Sequence, residues 1–136
     1  MNKTLAIVSI IGAAVFAFGQ AGGSRASTPF TQRLPSLDGK ELRLSQVEVR
    51  YAPGQASQPH SHPYPVVVRV IEGSVVMKVD KNPETIYKDG DTFYEPPNGL
   101  HAVSRNASDS APARILATFV CDSDGPLTKA PPPGEW

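Results

Sequence analysis

Between residues 40 and 121, apolar and polar positions alternate with a period of two in short runs, the pattern of strands that bury one face. In Gln46–Tyr51, Val47, Val49 and Tyr51 point one way while Glu48 and Arg50 point the other. In Ser74–Asp80, Val75, Met77 and Val79 alternate with Ser74, Val76, Lys78 and Asp80. Val66–Ile71 is almost continuously apolar, which predicts a strand packed on both faces, and Arg114–Cys121 reads as a last long strand. Pro53-Gly54, Glu72-Gly73, Lys81-Asn82-Pro83, Asp89-Gly90 and Asn98-Gly99 punctuate the runs as turns. No stretch keeps a helical period, and 14 prolines leave few places for a helix. The expected fold is all-β: one sandwich or barrel over residues 40–123.

The ends read differently. Met1-Asn2-Lys3 followed by the apolar run Leu5–Phe18 has the form of an export signal occupying residues 1–26, with cleavage after Ala21 or Ala26. The run is shorter than the roughly 20 residues that span a bilayer, although an uncleaved anchor is the alternative. No cysteine lies near it, which argues against a lipid anchor. The mature protein is therefore expected to be exported, periplasmic or secreted, without membrane contact after cleavage. Gly22–Thr28 reads as weakly held, residues 27–39 as an N-terminal arm, and 124–136 as a proline-rich tail whose Ala130–Gly134 is an extended, non-packing end.

Composition narrows the function. Thirteen basic and thirteen acidic residues balance, so the electrostatic footprint of a nucleic-acid or anionic-membrane binder is missing. The single Cys121 cannot form an internal disulfide and reads as a buried small hydrophobe. Asn106-Ala107-Ser108 has the form of a glycosylation acceptor, relevant only in a eukaryotic secretory route.

Candidate chemistry sits in the three histidines. His60 and His62 are two apart, so on a strand their imidazoles share a face, roughly 6.6 Å apart along it. His101 lies on a separate run, and neutral imidazole is the commonest protein ligand for first-row transition metals. Pro59 and Pro63 bracket the pair and stiffen it. No serine triad or phosphate-cradling glycine loop is present.

The segments Gly54-(five residues)-His60-Ser61-His62 and Gly90-(five residues)-Pro96-(four residues)-His101 resemble the paired motifs of the cupin superfamily. Gly73 also falls in register, Asn98 stands at the second motif's internal glycine, and Asn106 is one residue late. Tyr51-Ala52-Pro53-Gly54 and Phe93-Tyr94-Glu95-Pro96-Pro97 are similar to small, often exported single-cupin proteins of quercetinase-like type. The resemblance implies a roughly six- to eight-stranded antiparallel jelly-roll barrel with a metal in its mouth, held by His60, His62 and His101. It does not supply a reaction.

One departure matters. The first motif's glutamate ligand falls on Val66, which cannot bind a cation. Asp91, Phe93 and Glu95 share a strand face, and a carboxylate facing inward at Glu95 would need a cation beside it. Either Glu95 has taken over the role Val66 lost, as ligand or general base, or it turns to solvent at the rim and water fills the fourth position. Val66, Val68, Met77 and Val79 are expected to wall an apolar pocket, Tyr64 and Tyr94 to line its mouth, and Arg69 to face away. The implied cofactor is a divalent transition metal (Fe, Mn, Ni, Cu, Co or Zn). The resemblance then points to a dioxygenase-like, metal-dependent oxidoreductase with a small-molecule substrate. A non-catalytic metal or small-molecule binder and a metal-dependent isomerase or lyase are the alternatives. Homodimers occur among resembling proteins.

Overall fold

A computed structural model describes residues 25–33, 39–131 and 134. Among these residues there are nine strands and no helix. In chain order they are β1 (Arg25–Arg33), β2 (Arg43–Tyr51), β3 (His60–Ser61), β4 (Val66–Glu72), β5 (Ser74–Val79), β6 (Thr85–Lys88), β7 (Thr92–Glu95), β8 (Leu100–Asn106) and β9 (Ala113–Cys121). They form two antiparallel sheets, ordered β1-β2-β9-β4-β7 and β3-β8-β5-β6. Apart from the β1-β2 and β5-β6 pairs, strands that are neighbours in sequence switch sheets, as in a jelly roll.

The core lies between the sheets. Along β9, Ala113, Ile115, Ala117, Phe119 and Cys121 are buried and the residues between them are not, so a strict alternation drives that strand inward on one face. Tyr51, Val75 and Met77 close over them. Gly73 turns β4 into β5 with φ +74°, and a Cβ there would stand 2.5 Å from the Pro112 carbonyl oxygen, so the turn admits no side chain.

Three expectations change. β4 is buried on one face only: Val66, Val68 and Val70 are inside, while Val67 is 46% exposed between Tyr94 and Thr118. Its valines suit a pleated, half-buried surface as well as a fully buried one, so the continuous apolar run misleads. Arg69 does face out, where it donates to Thr92 Oγ1 at 3.2 Å. On β5, Val76 is buried as well as Val75 and Met77, although it sits on the alternate face, between Ile86 and Arg105.

The third change is at the N-terminus. Residues 25–33, expected to be signal end and weakly held arm, pair with β2 from Arg25↔Arg50 to Arg33↔Arg43. The outer edge of β2 offers a row of unpaired N–H and C=O groups that a following or preceding segment can satisfy. The apolar run Leu5–Phe18 lies outside the described residues. No helix among the described residues is long and apolar enough to cross a membrane.

Asn106 ends β8 as a polar knot. Its Nδ2 donates to the carbonyls of Ala52 (3.0 Å) and Ala111 (2.8 Å), and its Oδ1 accepts from the Ser108 N–H (2.9 Å). At 2% exposure, with its amide nitrogen committed, it is a structural residue and not a glycosylation acceptor. Asn106→Ala strands the Ala111 carbonyl and the Ser108 N–H, while the Ala52 carbonyl keeps the Gln55 N–H, and urea unfolding is expected to show a loss of about 1–3 kcal/mol at unchanged m. An unchanged midpoint would remove the knot from the stability account.

Candidate metal centre

Pairing delivers the histidines. His60 on β3 lies directly across from His101 on β8, and His62 follows just beyond β3 on the same side. The Asn98 N–H donates to the His62 carbonyl at 2.6 Å, tying the ligand segment to the turn that leads into β8. Asn98 holds φ +63°, a left-handed conformation that Asn tolerates better than most residues, which explains its standing where the resembling motif has glycine.

A bulge then sets the facing of His101. Against β5, Lys78 pairs with Val103 and Val79 with His101, so Ala102 is an extra residue. Strict alternation would put His101 and Ser104 on opposite faces. With one residue inserted, both are buried and both line the interior cavity.

The three rings converge, with centroids 4.9–5.0 Å apart and one nitrogen from each within 4.8 Å of the others. His60 Nδ1 is 2.7 Å from the Gln58 carbonyl oxygen and His62 Nδ1 is 2.8 Å from that of Leu127. A carbonyl can only accept, so each Nδ1 carries the proton and each Nε2 keeps its lone pair. His101 is 1% exposed and neither of its ring nitrogens has a hydrogen-bond partner. A buried polar group with no partner is rare in a native protein unless an ion or water completes it. This donor set fits a transition-metal ion.

Glu95 joins the group. It is 4% exposed and faces inward, with Oε2 3.7 Å from His62 Nε2 and Oε1 3.5 Å from His101 Nδ1. Val66 is its cross-strand partner on β4. The carboxyl group therefore occupies the rung on which the first motif's glutamate would fall, but from the neighbouring strand. Burial pushes Glu95 up to about 8. Burial lowers His62 to about 4 and His101 to about 3, with neighbouring imidazoles adding repulsion. In the metal-free protein near neutrality these contacts therefore join neutral groups and not ions.

The group lines a cavity of about 350 Å3, walled by Val47, Val49, Val68, Met77, Ile115 and Phe119. The expected wall holds at Val68 and Met77, but Val66 is packed behind the lining and Val79 lies outside it. Neither tyrosine lines the mouth. Tyr64 is buried, its hydroxyl 2.9 Å from Ser123 Oγ, and Tyr94 is 60% exposed on the outer face. The mouth residues that sequence reading missed are Leu127, Thr128, Lys129 and Ala130, since a proline-rich terminus carries no signal of docking.

A family model described as cupin domain matches residues 47–119. No curated protein matches the chain by sequence. Among solved structures, a Klebsiella pneumoniae protein with a double-stranded β-helix domain is similar at 19% identity and TM-score 0.61, over 82% of this chain and 89% of that one. An oxalate oxidase in complex with glycolate is similar at 20% identity and TM-score 0.61, over 82% of this chain but only 56% of its own length. A cupin domain from Bordetella pertussis is similar at 17% identity and TM-score 0.55, over 73% of this chain and 94% of that one. At these identities the likeness is one of fold.

The buried groups give the metal-free protein two opposed pH slopes. His62 and His101 bind protons more readily unfolded, near 6.5, than folded, so stability falls as pH drops from about 6.5 toward 3–4. Glu95 binds its proton more tightly folded, so stability also falls as pH rises from 4.5 to about 8. Thermal melts of metal-free Glu95→Gln should lose the second slope and keep the first. A wild-type profile flat from pH 4.5 to 8 would contradict the buried neutral carboxyl.

Proposed function

The chain belongs to the cupin domain family, and on that footing we propose that it is a metal-dependent, dioxygenase-like oxidoreductase acting on a small organic substrate in the barrel. The observation that carries this is the convergence of three imidazoles at a largely apolar cavity, with both nitrogens of buried His101 left without a partner. His60, His62 and His101 would hold the ion, with Glu95 as its fourth protein ligand. Fe, Mn, Co, Ni, Cu and Zn all suit such a donor set. When bound, the ion supplies Lewis acidity and coordination positions that the protein leaves free.

The chain's own residues do the rest. Glu95, kept neutral by burial, would give up its proton to solvent beside a bound cation and balance part of that charge. The valine, isoleucine and phenylalanine walls exclude water and seat an apolar body. Lys129, at the exposed rim, is the one cationic side chain among the described lining residues. Glycolate, held by the similar oxalate oxidase, is nearly all polar and would leave these walls unfilled. The chemistry favours a mostly apolar molecule with one enol, hydroxyketone or diketone end. The same proposal places the mature protein outside the cytoplasm, on the strength of the Leu5–Phe18 run behind Lys3. Mass and elemental analysis of protein from its native compartment would read both the processed N-terminus and the resident element.

Glu95→Gln is expected to weaken metal affinity, measured by calorimetry, while the exchange Val66→Glu with Glu95→Val restores it, because the two positions face each other across one rung. Unchanged affinity in Glu95→Gln together with lost turnover would move Glu95 from ligand to general base. Metal-loaded protein should consume oxygen with some member of a panel of flavonols, enols and diketones. No uptake at full occupancy would leave a non-catalytic binder.

A further inference from the structure

After β9 the chain does not leave the barrel. It turns at Gly125, where a Cβ would stand 2.7 Å from the Tyr64 hydroxyl, so only glycine lets the segment pass this close. Leu127 then packs against the core and lines the cavity. Its carbonyl oxygen lies 2.8 Å from His62 Nδ1, and Thr128 Oγ1 is 3.5 Å from the same nitrogen. Lys129 adds a rung to β3: its N–H donates to the Ser61 carbonyl at 2.9 Å, and its carbonyl accepts the Ser61 N–H at 3.0 Å. Ala130 completes the wall.

We propose that Gly125–Ala130 is a positioning strap that sets the His62 tautomer. By accepting the Nδ1 proton, the Leu127 carbonyl leaves the lone pair on Nε2, the nitrogen 3.7 Å from Glu95. In the other tautomer that carbonyl would face a lone pair at hydrogen-bond distance, and Nε2 would point a proton at the place where a cation must sit. The assignment of the cation rests on the metal reading above; the tautomer does not.

The two neighbouring ligands differ in where this support comes from. His60 is served by Gln58, two residues away, whereas His62 depends on a carbonyl 65 residues further along. Freeing the strap therefore removes the Nδ1 partner of His62 and leaves that of His60 in place. The segment also covers the cavity on the His62 side, so its release admits water to the ring.

The test uses the full chain carrying Leu127→Gly and Lys129→Pro, which remove the apolar anchor and the N–H that bonds Ser61. Lys129→Pro alone serves if the pair does not fold. Long-range 15N–1H correlation spectra of the metal-free protein at pH 8 should show His62 as a single Nδ1–H tautomer in wild type. In the variant it should be a mixture, with the His60 signals unmoved. Zn2+ affinity should fall about 10- to 100-fold. A chain ending at Pro131 should match wild type in both. His62 unchanged in a folded variant, or His60 shifting equally, overturns the strap. Wild type with the fixed tautomer but no affinity for any divalent ion supports the strap and removes the metal reading.

Discussion

The His62 and His101 imidazoles and the Glu95 carboxyl share a chamber too dry to let any of them charge alone, and the site follows from that constraint. Burial raises Glu95 to about 8 and depresses His62 and His101 to about 4 and 3. All three shifts have the same cause, the cost of placing an ion where water is excluded. A divalent cation would answer every one of them at once, because it would attract the carboxylate and take up the imidazole lone pairs. His101, with no hydrogen bond at either nitrogen, shows the demand most plainly.

Sheet pairing meets that demand with few devices. One rung places His60 opposite His101, one bulged residue at Ala102 turns His101 inward alongside Ser104, and the Asn98 turn ties His62 to β8. Glu95 shows how a neighbouring strand can bring a carboxyl to the imidazoles. Across a rung, Cβ atoms stand roughly 4.5–5.5 Å apart, so Glu95 on β7 presents its carboxyl on the same face of the sheet as Val66 on β4. The tail adds a constraint of another kind, since its carbonyl decides which nitrogen of His62 is free.

Much of this was legible along the chain. Period-two alternation in β2 and β5, with a last long strand at β9, located the sandwich, and the spacing of His60, His62 and His101 in two motifs located the site. Glu95 was visible too, as an acidic residue sharing a strand face with Phe93. The exposed face of β4, the pairing of residues 25–33 and the docked tail were not. Valine is equally at home on either face of a strand, and backbone edges recruit partners whatever their side chains. Tyr64 and Tyr94 misled for a similar reason: an aromatic residue near a ligand records proximity in sequence, not direction in space.

The amino-acid sequence by itself determined the strand-forming segments, the turns and the identity of the donor atoms, because those depend on local backbone preference and on chemistry within a few residues. Only the tertiary structure decided which face His101 takes, that Glu95 turns inward opposite Val66, and that Leu127 reaches His62. Each of those depends on register between distant strands. A single inserted residue reverses the side on which a strand presents its chemistry.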